Sequence, residues 1–313
     1  MHIFHYVIRR LFYAVPILLG ATLLIFLLFN VVAGDPTVVL LGKHATFQQM
    51  TELKHELGLD SSMLVQYLDT LKSAFTLDFG RSWSTKQSII QMIKGGACVS
   101  LTLSVPAFML ASVLAIAMAL LAAFFRGTLL DKSLVVVSVI MMSISVLAYI
   151  LLGQWVSAYK LGWFEIAGYE YGFPDFLPYI MLPAIIWIVL SIGPDVRFYR
   201  TVMLDEVHQD YVRTARSKGL SNRVILFKHV LKNAMIPIIT NLVIQLPSLI
   251  LGTLLIESFF GIPGLGNITL QAINSADFPV VKAMTILSSV FYIVFNIITD
   301  VLYTVVDPRV QLK

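Results

Sequence analysis

Arg213, Arg216 and Lys218 stand within six positions of one another, in a stretch (197–232) that holds eight of the chain's 22 Lys and Arg residues. Cations grouped this way can hold an anion, dock on an acidic surface, or do no more than solvate a helix. The residue sets of enzymes are missing. No GxxxxGK[ST] is available to cradle nucleotide phosphates. His2, His5, His44, His55, His208 and His229 are scattered without HExxH spacing, and the single Cys98 permits neither a disulfide nor a Cys-based metal site. No His/Asp or Ser/His set falls within an apolar segment. The sequence therefore predicts no catalytic residue, no metal and no cofactor.

The surroundings of the basic stretch set its context. Only 13% of the 313 residues are charged and 58% are hydrophobic, with a mean hydropathy of +0.85. A soluble domain carries roughly 25% charged residues, so lipid must cover much of this chain. Six segments are long enough to cross a hydrocarbon layer, which takes about 20 helical residues: Leu11–Ala33, Ala97–Phe125, Ser133–Ser157, Pro178–Val196, Ile236–Glu257 and Val280–Tyr303. The ten-residue alternating segments of a membrane β-barrel are absent. Arg9-Arg10 before an apolar run, with Val31-Val32-Ala33 ahead of Gly34, imitates a cleavable signal. The run is longer than the roughly 7–15 residues of a signal core and reads as a retained first span.

Lys and Arg also orient the chain. Arg9, Arg10, Arg126, Lys132, the eight of the 197–232 stretch, Arg309 and Lys313 fall on one side. On the other side, 158–177 holds only Lys160 against Glu165, Glu170 and Asp175, and 258–279 has no Lys or Arg. The positive-inside rule places both termini and the 197–235 loop in the cytoplasm. The net charge of +4 thus reflects topology, not nucleic-acid binding.

The 34–96 segment is the one sizeable extracytoplasmic region. Helices are expected over Thr46–Leu57, with Phe47, Met50, Leu53 and Leu57 on one stripe, and after Asp60, with Leu64, Tyr67, Leu68, Leu71 and Phe75 on another. Both should lie against the bundle, and an interfacial helix is expected over 86–94 before the second span. That span carries Ala107, Ala111, Ala115, Ala119 and Ala123 at four-residue spacing, which suits close helix packing within the subunit or a sliding interface between subunits. Asn241 and Gln245 share a face of the fifth span, and Asn296 and Asp300 lie on the sixth. Such groups either join helices by hydrogen bonds or line a polar path; Asp300, near the cytoplasmic end, is expected to be hydrated. Asp195 falls at the cytoplasmic edge of the fourth span.

In the basic loop, Thr201–Lys218 has helical composition, Gly219 supplies a left-handed stop, and Ser221 is suited to cap a second helix over Asn222–Ala234, which Pro237 follows. The loop is predicted to be a helix–Gly–helix unit. Its residues, YVRTARSKGLS over 211–221 and HVLKNA over 229–234, resemble the coupling-loop signature of binding-protein-dependent ABC importer permeases. In the peptide-transporter branch the loop reads YVRTARAKGLS and then HALRNA. Arg213 stands where the broader family pattern has Glu. Asp35-Pro36, Leu57-Gly-Leu-Asp60, Gln66-Tyr67, the turn DFGRS over 78–82, ESFFGIPGLG over 257–266 and Asp307-Pro308-Arg309 resemble further family segments in order, along nearly the whole chain.

The resemblance implies an all-α membrane protein of the type I ABC importer permease fold. Six transmembrane helices, cytoplasmic termini and an extracytoplasmic insertion between helices 1 and 2 would mark it as the B-type subunit. The implied division is 1–96 for the first helix with the insertion, 97–303 for the transport domain, and 304–313 for a tail. It implies a homologous second permease, two cytoplasmic ATPases and an extracytoplasmic substrate-binding protein as partners in a bacterial inner membrane. Asp210, Tyr211, Arg213, Thr214, Ala215, Arg216, Ser217, Lys218, Gly219 and Leu220 would meet the ATPase. Asn241, Gln245, Glu257 and Asn296 are the candidates for the translocation path. Close relatives of the pattern handle dipeptides, oligopeptides, peptide-like compounds or nickel chelates. The competing reading is an ion-coupled transporter or channel, which would need acidic groups or broken helices near the midplane.

Overall fold

Helices follow one another along residues 2–32, 35–42 and 45–306, the part of the chain that the computed structural model describes, and no strand occurs among those residues. Ala33-Gly34 of the signal-like site, His44, and the tail from Asp307 onward, with the Asp307-Pro308-Arg309 motif, lie outside the described residues. Helix α1 (His2–Leu27) continues through a π-helical stretch, Leu28–Val32. Asp35 then caps α2 (Pro36–Leu41), its carboxylate accepting from the Thr37 amide. Helix α3 (Phe47–Glu56) opens on a capping box between Thr46 and Gln49, and α4 (Met63–Thr76) follows. Tyr67 lays α4 on α1: its hydroxyl donates to the Leu19 carbonyl at 3.4 Å and its ring meets Phe26 at 5.4 Å. The expected apolar stripes are only partly covered, since Phe47, Leu64, Leu68 and Phe75 remain exposed.

Several expectations need correction. The interfacial helix over 86–94 is not separate: α5 runs unbroken over Ile89–Phe124. Burial of Ile89 and the approach of a later helix at Gly96 hold it straight through Gly95-Gly96. The third span, Ser133–Ser157, is two helices, α6 (Leu129–Ser143) and α7 (Val146–Gly153), the second continuing π-helically to Lys160, with a 91° bend between them. Ser145 makes the break, because its hydroxyl accepts from the Ala148 amide at 3.2 Å and starts a new helix. The helix of the fourth span does not stop at Val196: α8 runs over Leu177–Val207. The helix expected over Thr201–Lys218 breaks at His208-Gln209, after which α9 (Asp210–Ser217) begins. The His208 ring turns back at the break, donating to the Leu204 carbonyl and accepting from Arg126, both at 2.7 Å.

Ser221 caps the second loop helix as read, accepting from the Val224 amide. From there α10 (Asn222–Val224), a π-helical stretch (Ile225–Val230) and α11 (Leu231–Leu251) are contiguous, so the loop runs directly into a membrane helix. Helix α11 ends at Gly252, short of the expected Glu257. Two short helices, α12 (Leu254–Phe259) and α13 (Leu265–Asn274), then lead to α14 (Phe278–Val306). Five stretches are long and apolar enough to cross a membrane, and the bent α6–α7 pair makes a sixth if it counts as one span. Asp300 is not merely hydrated: it pairs with Arg10 at 2.7 Å, joining α14 to α1.

The core is centred where α5 meets α8. Ala107, Ala111, Ala115, Ala119 and Ala123 are all buried within the chain. Three of them, Ala115, Ala119 and Ala123, belong to one cluster with Ile192, Val196, Tyr199 and Met203 of α8. The stripe thus serves helix contact inside the subunit. On the same side Arg200 grips Asp131 in a two-pronged contact, 2.6 and 2.9 Å, and Asp131 also accepts from the Gly127 amide. Overpacking is the test of this core. Ala119→Leu is expected to cost about 1–3 kcal/mol and to lower the melting temperature of the detergent-solubilised protein, whereas Ala117→Leu, on the exposed side of α5, should leave it within a degree or two. Equal effects would mean that the stripe does not carry the contact.

Candidate functional site

Helix α9 presents two unlike faces. Val212 and Ala215, three residues apart, are buried with Ile225, Leu226 and Val230, which fixes α9 to the start of the next helix. Asp210, Arg213, Thr214, Arg216, Ser217, Lys218, Gly219 and Leu220 are exposed. Tyr211 is half-buried and donates to the Glu206 carboxylate; burial, then that hydrogen bond, pushes its phenol up to about 12. Tyr211 therefore stays a neutral donor tying α9 to the end of α8. Gly219 follows with φ +77°, and a Cβ built there would meet nothing within 4 Å. The left-handed backbone favours glycine, while the space beside it is open. The result is a small basic surface held by apolar contacts at its back.

Within the bundle, Asn241 and Gln245 converge on a group that the sequence reading set aside. Both amides donate to Oδ1 of Asp195, at 3.2 and 3.1 Å, and Asn241 also donates to the Tyr199 hydroxyl at 3.3 Å. Helix α8 continues past Asp195 to Val207. Asp195, Asn241 and Gln245 line a cavity of about 660 Å³, together with Trp187, Ser191 and Thr253. It lies beside the bend between α6 and α7, with Val146 on its wall.

The other two path candidates are placed elsewhere. Glu257 is 1% exposed and is wrapped by donors. Its Oε1 accepts from the Ser100 hydroxyl at 2.8 Å and the Thr253 amide at 3.2 Å, and its Oε2 from the Gly266 and Asn267 amides at 2.8 and 3.3 Å. Ser100 in turn accepts from the Leu265 amide at 2.9 Å. Gly252, at φ +75°, leaves the room: a Cβ there would collide with the Glu257 carboxylate. The ESFFGIPGLG segment is thus a knot that folds α12 and α13 around one carboxylate and onto α5. Asn296 is exposed on α14 and does not line the cavity.

Residues 115–312 match the family described as binding-protein-dependent transport system inner membrane component, and residues 3–106 match its N-terminal region. The chain belongs to this family, whose members sit in the inner membrane. The oligopeptide transport system permease protein AppB of Bacillus subtilis is 33% identical over 98% of this chain and 99% of its own length. The di/tripeptide transport system permease protein DppB of Pseudomonas aeruginosa is 31% identical over 98% of each. The dipeptide transport system permease protein DppB of Alkalihalophilus pseudofirmus is 28% identical over 98% and 99%.

The Glu257 knot generates a stability prediction. Glu257→Ala strands three buried donors and the half-buried Thr253 amide, at about 1–3 kcal/mol for each buried one, and should lower the melting temperature far more than Glu257→Gln, which keeps the shape and one accepting oxygen. Equal losses in a thermal unfolding series would show that shape, not donor satisfaction, holds the segment.

Proposed function

We propose that this chain is one permease subunit of an ATP-driven importer that takes up di- or oligopeptides handed over by an extracytoplasmic binding protein. It would pair with a homologous permease and with two cytoplasmic ATPases, and ATP hydrolysis would fall to those partners. The bent α6–α7 pair counts as one of six spans, with both termini and the 197–235 loop in the cytoplasm. Residues 1–96 form the first span with its extracytoplasmic segment, 97–303 the transport domain and 304–313 a tail. Membership of a family named for binding-protein-dependent transport supports this assembly, and the peptide transporters named above supply the substrate class.

One observation carries the coupling role: α9 shows a rigid, exposed basic surface whose back is fastened to α8 and to the helix leading into α11. A partner that closes on ATP can push such a surface without the push being lost in loop motion. Closure would rock α8 and α11, which flank the Asp195 cavity, and Asn241 and Gln245 would then lie on the translocation path. Asp195 is the feature that an ion-coupled transporter would also show; uptake driven by an ion gradient in the absence of ATPases would identify that mechanism instead.

The open space at Gly219 makes the test selective. A Cβ at Gly219 meets no atom of this chain within 4 Å, so the bulk of Gly219→Trp is directed toward whatever docks there, and Gly219→Asn controls for the cost of a side chain at left-handed φ. Gly219→Trp, and separately the double variant Arg213→Glu/Arg216→Glu, should leave the protein in the membrane yet cut ATP-driven uptake at least about tenfold, the equivalent of about 1.4 kcal/mol of lost docking. Gly219→Asn, which tolerates a left-handed backbone, should retain most uptake. Undiminished uptake and normal co-purification of ATPases with the Trp variant would refute a docking role for α9.

A further inference from the structure

Asp195 is half used. Its Oδ1 accepts two amide hydrogen bonds, from Asn241 and Gln245, while Oδ2 takes none among the described residues and is not sealed from contact. No Lys or Arg among the described residues forms an ion pair with it: Arg200, one turn further along α8, is committed to Asp131, and Arg197 is exposed. A nearly buried carboxylate without a cation is costly, and two neutral amides offset only part of that cost.

The polar part of an otherwise largely apolar wall has the same bias. Trp187, Ser191 and Asp195 follow at four-residue intervals, so they form one stripe on α8, and all three line the cavity. An indole face attracts cations, a hydroxyl accepts, and a carboxylate oxygen accepts with charge. Asn241 and Gln245 spend an N–H on Asp195 and keep carbonyl oxygens for other partners. A space of about 660 Å³ is within the range of small-ligand sites, roughly 300–1,000 Å³. The polar patch of the cavity therefore offers several acceptors beside apolar walls, and no cation stands among the described residues that line it.

We propose that Asp195 selects the cargo: its open oxygen receives a cationic nitrogen of the peptide in transit, with Ser191 and the Trp187 ring beside it. The nitrogen is an ammonium group, from the peptide's amino terminus or from a lysine side chain. This inference rests on the peptide-importer reading above and adds a site within it.

The experiment uses the complete importer, with binding protein and ATPases, in proteoliposomes. Three probes are compared: trialanine, N-acetyl-trialanine, and N-acetyl-Ala-Lys-Ala. The Asp195→Asn complex is first checked for assembly by co-purification. The expected result is that the ratio of trialanine to N-acetyl-trialanine uptake falls about tenfold in Asp195→Asn, as loss of one charge-assisted hydrogen bond implies. A fall confined to the lysine peptide, again relative to N-acetyl-trialanine, would assign the site to side-chain ammonium. Trp187→Leu, which keeps the carboxylate, should shift the same ratio less. Where the binding protein rejects acetylated peptides, saturable binding of the three probes to the detergent-solubilised complex carries the same comparison. An equal fall for all three probes would give Asp195 a structural role and overturn the proposal, as would unchanged ratios or no saturable binding. Failure of the wild-type complex to import any peptide with ATP would instead overturn the importer reading itself.

Discussion

In a bilayer, helices gain little by hiding apolar surface from one another, because lipid tails are as apolar as leucine. Association then depends on how closely backbones approach, and in this chain that approach is made between α5 and α8. Alanines on α5 let Ile192, Val196, Tyr199 and Met203 of α8 settle against it. The rest hangs from that seam. Helix α8 presents Asp195 to the cavity, Arg200 to Asp131 one turn on, and Glu206 to Tyr211 of α9. One rod, held along its length by small side chains, links the membrane interior to the basic surface outside it.

The anchorage of α9 comes from several modest contacts of different kinds. Val212 and Ala215 supply apolar anchorage, His208 joins Arg126 to the last turn of α8, and the π-helical stretch Ile225–Val230 packs into the same cluster. Because that stretch continues into α11 without interruption, a displacement of α9 has two routes inward, through α8 and through α11. The cavity lies between the same two helices. The helices that anchor the basic surface are therefore the ones that wall the cavity.

Two carboxylates in the apolar part of the chain show how satisfaction separates structure from function. Glu257 and Asp195 are both nearly buried. Glu257 has donors on both oxygens and a glycine-lined nest, so it holds a fold together and has nothing left to offer. Asp195 has donors on one oxygen and a cavity before the other. The same chemistry, buried at similar cost, ends as a staple in one place and as an unfilled valence in the other.

Hydropathy determined the membrane-crossing stretches, and local chemistry determined several ends: the Thr46 capping box, the Ser221 cap and the left-handed Gly219 all act within a few residues of their partners. The YVRTARSKGLS run was legible for the same reason, since Val212 and Ala215 face inward by helical period alone. The Ser145 cap that starts α7 is equally local, whereas the extension of α8 past Val196 and the unbroken start of α5 were decided by packing against segments far away in the chain. The polar sites show this most plainly. Asn241 and Gln245 were visible as a pair on one face, but the carboxylate they hold lies 46 and 50 residues away, and Ser100 meets Glu257 across 157. Periodicity reports which face a residue occupies; which face it meets is set by close packing of distant helices, and only the tertiary structure decides that.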